Sequence, residues 1–191
     1  MNGAGTSGEE AITEAVYVWE GPPRLELLRE TVVPARGAPW QHHRLVVQRG
    51  IPGVVIVAGD VTRLLFVRHD RPGVGDDRLE LPRGFGEAGV DETESDDDAA
   101  CRDAARELRE ETGHRAVSSR VLGRYVIDSA LLPGTIAVVK IEVDLSRTPE
   151  PTDGETRSTL MVDRRDVPGL VRRGAVADAH TLSALALALI C

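Results

Sequence analysis

Residues 106–113 read RELREETG, and their arrangement governs how the rest of the chain is understood. Three glutamates, Glu107, Glu110 and Glu111, crowd into what the composition predicts to be the last turns of a helix. Like charges repel there, and the negative end of the helix dipole adds to the repulsion. At about 100° per residue, Glu107 and Glu111 lie about 40° apart, Glu110 about 60° to the other side, and Asp103 in the same sector. Cys101, Ala104, Ala105, Leu108 and Thr112 form the adjoining stripe, apolar and small enough to pack on a sheet. One flank of the helix is thus built for burial while its neighbour presents four carboxylates. On the helix alone two readings stay open. One is a solvated acidic face laced by pairs such as Arg106–Glu110. The other is a set of oxygen ligands for a hard divalent cation, Mg2+ or Mn2+.

Outward from this stretch, Ser95 is a natural N-cap with Asp98 three residues on, and Gly113 suits the position just past the helix. Upstream, GVVIVAG (53–59) and RLLFVRH (63–69) are apolar runs separated by Asp60, Val61 and Thr62, a hairpin signal. LELPRGFGEAG reads as a short strand and a Gly-rich turn. Downstream, RAVSSRVLGRYVIDS and TIAVVKIEVDL read as strands joined at ALLPG, and TLMVDRRDV as one more. VPGLVRRG reads as a short helix and DAHTLSALALALI as a second, capped by Asp178. This order predicts an α/β (α+β) sandwich with a mixed sheet. Residues 1–12 are expected to be a disordered tail, 13–50 an N-terminal β-strand arm, and 51–191 the main domain.

The chain has 191 residues, 41% of them hydrophobic and 28% charged, as expected for a globular protein with a proper core. A formal net charge of -8 argues against nucleic acid held on a basic surface; an acidic protein can still handle phosphates if a bound cation supplies the positive charge. Cys101 and Cys191 have neither metal-ligand nor disulfide-framework spacing and are expected to be buried free thiols. The start of the chain lacks the pattern of a signal peptide, and ALALALIC is too short to span a bilayer. A cytoplasmic protein with no membrane partner is expected.

REL-x-EE-x-G resembles the core of the Nudix box, the hydrolase signature G-x5-E-x7-R-E-U-x-E-E-x-G-U with U aliphatic. Arg106, Glu107, Leu108, Glu110, Glu111 and Gly113 fill its specified positions. VVIVAG, LLFVRHDRP and LELPRG look like the approach to the box in this superfamily. GAVADAHTLSALAL looks like the G-x-I-x-D-x-x-T-x-x-A-L helix of its ADP-ribose pyrophosphatase branch. Residues 16 to 190 are covered, and the implied fold is a Nudix-type α/β/α sandwich with an N-terminal β arm. There are departures. Gly84 and Asp98 are separated by residues 85–97 where the pattern has a gap of five, Asp98 replaces a glutamate, and His114 replaces an aliphatic residue.

The resemblance implies hydrolysis of a nucleoside diphosphate linked to another group, most simply ADP-ribose or a related nucleoside diphosphate sugar, giving AMP and a sugar phosphate. A nucleoside triphosphate house-cleaning enzyme and a non-catalytic ADP-ribose-binding module are the alternatives. It implies Mg2+ (or Mn2+) held by Glu107, Glu110, Glu111 and the backbone carbonyl of Arg83, with Glu110 and Glu111 catalytic and Arg106 orienting a glutamate. The general base would come from TDGETRS, as Glu155 in preference to Asp153, although an ordinary polar turn explains that segment too. Arg71 and Glu80 would meet substrate or else form a structural ion pair. Pro133 and Gly134 would border the adenosine or ribose pocket or else form a plain hairpin turn. Trp40, with Tyr17 and Trp19, lies in the region that in this branch lines a partner's adenine site, implying a homodimer and a small-molecule nucleotide as substrate.

Overall fold

The computed structural model of the protein describes residues 13–74, 78–87, 93–150, 152, 154 and 156–191; the expected N-terminal tail lies outside the described residues. The chain divides into two units, one comprising Met1–Gly50 with Asp128–Gly134, the other Ile51–Ile127 with Thr135–Cys191.

In the first unit, β1 (Thr13–Trp19), β2 (Leu25–Val32) and β3 (Trp40–Val47) form an antiparallel three-stranded meander. Arg44 Nε lies 2.7 Å from Glu30 Oε1 across β2 and β3. Leu45 N–H donates to Leu131 O at 2.8 Å, which ties the 128–134 segment to this sheet.

In the second unit, β4 (Gly53–Gly59) is the central strand. On one side it pairs antiparallel with β5 (Arg63–His69), which pairs antiparallel with β10 (Thr156–Asp163). On the other it runs parallel to β9 (Leu132–Val143), with β8 (Ala116–Asp128) at the edge. Two short strands, β6 (Leu79–Glu80) and β7 (Arg83–Phe85), pair with β5 and β4. The apolar run of β4 has no polar face because both faces are covered. Val54, Ile56 and Ala58 join Ala100, Ala104 and Leu108 of α1 (Asp96–Thr112) in one core. Val55 and Val57 join Leu170 of α2 (Val167–Arg172) and Val176 and Ala184 around α3 (Ala179–Ile190) in the other. The expected mixed α/β sandwich is therefore the observed one.

The turns follow local chemistry. Asp60 Oδ1 accepts from the N–H groups of Thr62 (2.8 Å) and Arg63 (2.7 Å), which closes the β4–β5 hairpin. Ser95 Oγ accepts from Asp98 N–H at 3.2 Å, and Asp178 Oδ2 accepts from Thr181 N–H at 2.8 Å, so both expected caps form. The reversal between β8 and β9 differs from expectation. Asp128 Oδ1 takes the N–H groups of Ala130 (2.7 Å) and Leu131 (2.9 Å), so the chain turns there and Pro133 and Gly134 fall within β9. LELPRGFG gives two short strands rather than one, because Leu79–Glu80 pairs with β5 and Arg83–Phe85 with β4. Cys101 is half-buried and Cys191 exposed, so neither is the buried thiol expected: the last helix leaves its C-terminal end uncovered, with Leu189 and Ile190 also exposed.

Gly113 explains its own place in the motif. It ends α1 in the left-handed region (φ 69), and its N–H donates to Arg109 O. A Cβ there would lie 2.0 Å from the carbonyl oxygen of Glu150, whose N–H donates to Gly113 O at 2.9 Å. Gly113→Ala is expected to destabilise the fold by about 2 kcal/mol or more, from left-handed strain plus the backbone clash. Denaturant unfolding checks this; a loss within experimental error contradicts it.

Candidate active site

The acidic turns of α1 dock on β7. Glu111 is buried, and its Oε2 accepts the Arg83 N–H at 3.2 Å. Its Oε1 lies 3.1 Å from Nε2 of His69, the buried last residue of β5. That contact raises the His69 imidazole above its ordinary range, against the opposing effect of burial. Glu107 lies over Gly84: a Cβ at residue 84 would sit 1.9 Å from the Glu107 carboxyl carbon. Without a Cβ, Gly84 leaves room for that carboxylate where it lies.

Arg106 gathers this end of the site. Its Nη1 lies 2.8 Å from Glu110 Oε2, and its Nη2 lies 2.9 Å from Glu107 Oε1 and 2.8 Å from Phe85 O. The guanidinium thus offsets the repulsion between two neighbouring carboxylates, although not fully. Burial pushes the Glu107 carboxyl up to about 7, a rise opposed by Arg106 and reinforced by Glu111 and Glu110.

Asp103, the fourth carboxylate of the sector, does a different job. It is buried, its Oδ2 accepts the Glu87 N–H at 3.1 Å, and its Oδ1 lies 3.2 Å from Arg102 Nη1. It anchors the chain just after β7 rather than joining the glutamates. Asp98 closes the helix cap through Ser95, and His114 is half-buried just past the helix end.

A second polar cluster adjoins through Arg83. Glu80 is buried between two arginines, with Arg71 Nη2 at 2.8 Å and Arg83 Nη2 at 3.1 Å, both to Oε2. Burial opposes its ionisation, but the Arg71 hydrogen bond and the charges of Arg83 and Arg71 win and hold the carboxyl below its ordinary value. Arg83 Nη2 also lies 3.5 Å from Asp178 Oδ1 at the cap of α3. Thr181 Oγ1 accepts the Leu81 N–H at 3.0 Å, fastening that cap to the turn before β7. Nearby, the Tyr125 hydroxyl lies 2.6 Å from His180 Nδ1.

The site thus brings together Glu107, Glu110, Glu111, Arg106, Arg83, Arg71 and Glu80. Trp40, Pro133 and Gly134 belong to the first unit; Trp40 is half-exposed and packs edge-on against His42. Asp153 and Glu155 lie outside the described residues. His69, Asp103 and Asp178 take parts that motif spacing does not reveal. A cavity of about 300 Å3 lies against the N-terminal half of α1, lined by Ile51, Pro52, Val54, Ala100, Asp103 and Ala137, away from the three glutamates.

Carboxylate oxygens are the donors hard cations prefer, and a buried carboxyl held near neutrality is one that a cation would relieve. Among the described residues no three His, Cys, Asp or Glu side chains converge as a ready-made cage. The Arg106 guanidinium lies on Glu107 and Glu110. The donor set fits a cation provided Arg106 yields.

No protein-family model matches the sequence, and no curated protein matches it. A solved structure described as the crystal structure of ADP compounds hydrolase does match in three dimensions. It has a TM-score of 0.68 at 19% identity, over 96% of this chain and 95% of that one. That likeness establishes the fold as the Nudix type.

The raised Glu107 carboxyl fixes a sign. Its folded value of about 7 exceeds the ordinary 4.5, so its contribution is fully present below about pH 4.5 and is lost as pH rises through 7. Cation-free wild type is expected to lose on the order of 2 kcal/mol relative to Glu107→Gln between about pH 4.5 and 8. Urea unfolding of both proteins across that range checks it; parallel pH profiles contradict it.

Proposed function

We propose that the protein hydrolyses the pyrophosphate bond of a nucleoside diphosphate linked to another group, ADP-ribose or a related nucleoside diphosphate sugar, releasing AMP and a sugar phosphate. The observation that carries this reading is the docking of Glu107 and Glu111 on the Arg83–Phe85 strand, with Glu110 held beside them by Arg106. The likeness to an ADP compounds hydrolase supports the same substrate class.

Glu107, Glu110, Glu111 and the Arg83 carbonyl would hold Mg2+ or Mn2+. A cation there would neutralise phosphate charge and lower the pKa of a bound water. Glu111 is kept in place by the Arg83 N–H and His69. Arg106 links the helix to the Phe85 carbonyl, and so keeps Glu107 and Glu110 beside β7 before a cation arrives. Arg71 and Arg83 share one buried carboxylate, which leaves part of their donor capacity for a diphosphate oxygen. Glu155 would activate the water from the segment before β10. In β1, Val16, Tyr17, Val18 and Trp19 are each at least 41% exposed. This apolar run supports a homodimer, since a second copy would cover it. Among the described residues no helix is long and apolar enough to cross a membrane; a cytoplasmic location is part of the proposal.

The test is a panel of ADP-ribose, NADH, sugar nucleotides and deoxynucleoside triphosphates with Mg2+ or Mn2+. AMP is expected from ADP-ribose or a sugar nucleotide, with kcat lowered at least about 100-fold in Glu111→Gln. No turnover of any diphosphate, or an unchanged rate in Glu111→Gln, overturns the reading. Glu155→Gln is expected to cost roughly 100-fold in kcat or more; wild-type kcat in that variant removes Glu155 as the base.

A further inference from the structure

His69 has no part in the motif, yet it touches Glu111, a residue on which the site depends. It ends β5, is 4% exposed, and is paired in register with Thr156, the first residue of β10. Its Nε2 lies 3.1 Å from Glu111 Oε1, while the other oxygen of the same carboxylate accepts the Arg83 N–H at 3.2 Å. Three elements, β5, β7 and α1, therefore meet on one carboxylate.

Both oxygens of Glu111 have a fixed neighbour, so the plane of the group is set before any ligand arrives. Each carboxylate oxygen has two lone pairs. Each oxygen thus has one protein neighbour and capacity for a further partner. A free glutamate side chain carries rotamer entropy that is lost when it is fixed. Holding it in advance spares that cost at binding. The backbone N–H alone leaves the carboxylate free to rotate about its last torsion, whereas a second contact on the opposite oxygen removes that freedom. The second contact comes from a side chain on another strand, so its position is tied to the sheet rather than to the helix.

We propose that His69 is a positioning residue for divalent-cation binding: it locks the Glu111 carboxylate in the orientation that a cation meets. This rests on the reading of Glu111 as a cation ligand given above. Groups that hold a ligating carboxylate typically account for 10–100-fold in metal affinity, and His69 is expected to fall in that range.

The experiment is titration of the full-length protein, without substrate, with Mn2+, following free Mn2+ by electron paramagnetic resonance. His69→Leu removes the donor at similar bulk, and His69→Gln returns an amide N–H near the position of Nε2. His69→Leu is expected to weaken Mn2+ binding about 10–100-fold, and His69→Gln to restore it to within about threefold of wild type. Circular dichroism of the cation-free variants reports folding separately; if His69→Leu does not fold, His69→Met carries the same comparison. Wild-type affinity in the variant lacking the donor, or equal weakening in His69→Gln, overturns the positioning role. Glu111→Gln separates the two claims. If it weakens Mn2+ binding while His69→Leu does not, only the positioning role fails. If wild type takes up no Mn2+, both fail.

Discussion

Docking of the last turns of α1 on the short strand β7 is the constraint on which the rest of the site depends. The Arg83 N–H donates to Glu111, and Gly84 makes room for Glu107. Neither contact forms unless the apolar stripe of the helix, Ala100, Ala104 and Leu108, is seated on β4. The stripe sets the rotation of the helix, and the rotation carries the acidic flank over β7. Gly113 then ends the helix in the left-handed region where the Glu150 backbone packs against it. Fold and candidate site are thus the same packing seen from two sides of one helix.

The electrostatics explain why so many carboxylates are tolerable at a helix C-terminus. Arg106 spans Glu107 and Glu110 and reaches the Phe85 carbonyl, and Glu111 is held by a backbone N–H and an imidazole. These partners offset the repulsion in part, while burial, more than the neighbouring carboxylates, holds the Glu107 carboxyl above its ordinary value. Glu80 shows the contrasting outcome. It too is buried, but two arginines hold its carboxyl below the ordinary range. Glu107 shares one arginine with Glu110, whereas Glu80 alone has two arginines on its carboxylate.

Much of this was legible in the sequence because it is local. Ser95, Gly113 and Asp178 cap helices through contacts within a few residues, and the two-sided burial of β4 shows in its unbroken apolar run. What could not be read depends on contacts between distant segments. His69 meets Glu111 only because β5 ends beside α1, and nothing near His69 in the chain signals it. Asp103 shares the angular sector of Glu107 but lies a turn earlier, where the backbone at Glu87 captures it. Pro133 and Gly134 looked like a turn, yet the Asp128 side chain reverses the chain first. Motif spacing locates the reacting face; it does not reveal which neighbours hold it.

On the proposed function, the Glu107–Glu110–Glu111 face takes a divalent cation in exchange for the grip of Arg106. Anomalous diffraction from crystals grown with Mn2+ tests it most directly. The expected result is an anomalous peak within roughly 2.0–2.6 Å of carboxylate oxygens of these glutamates, the range of hard-cation ligation, with the Arg106 guanidinium moved off Glu107 or Glu110. Crystals in which Arg106 still bridges both carboxylates at saturating Mn2+, with no peak beside Glu107, Glu110 or Glu111, would contradict it.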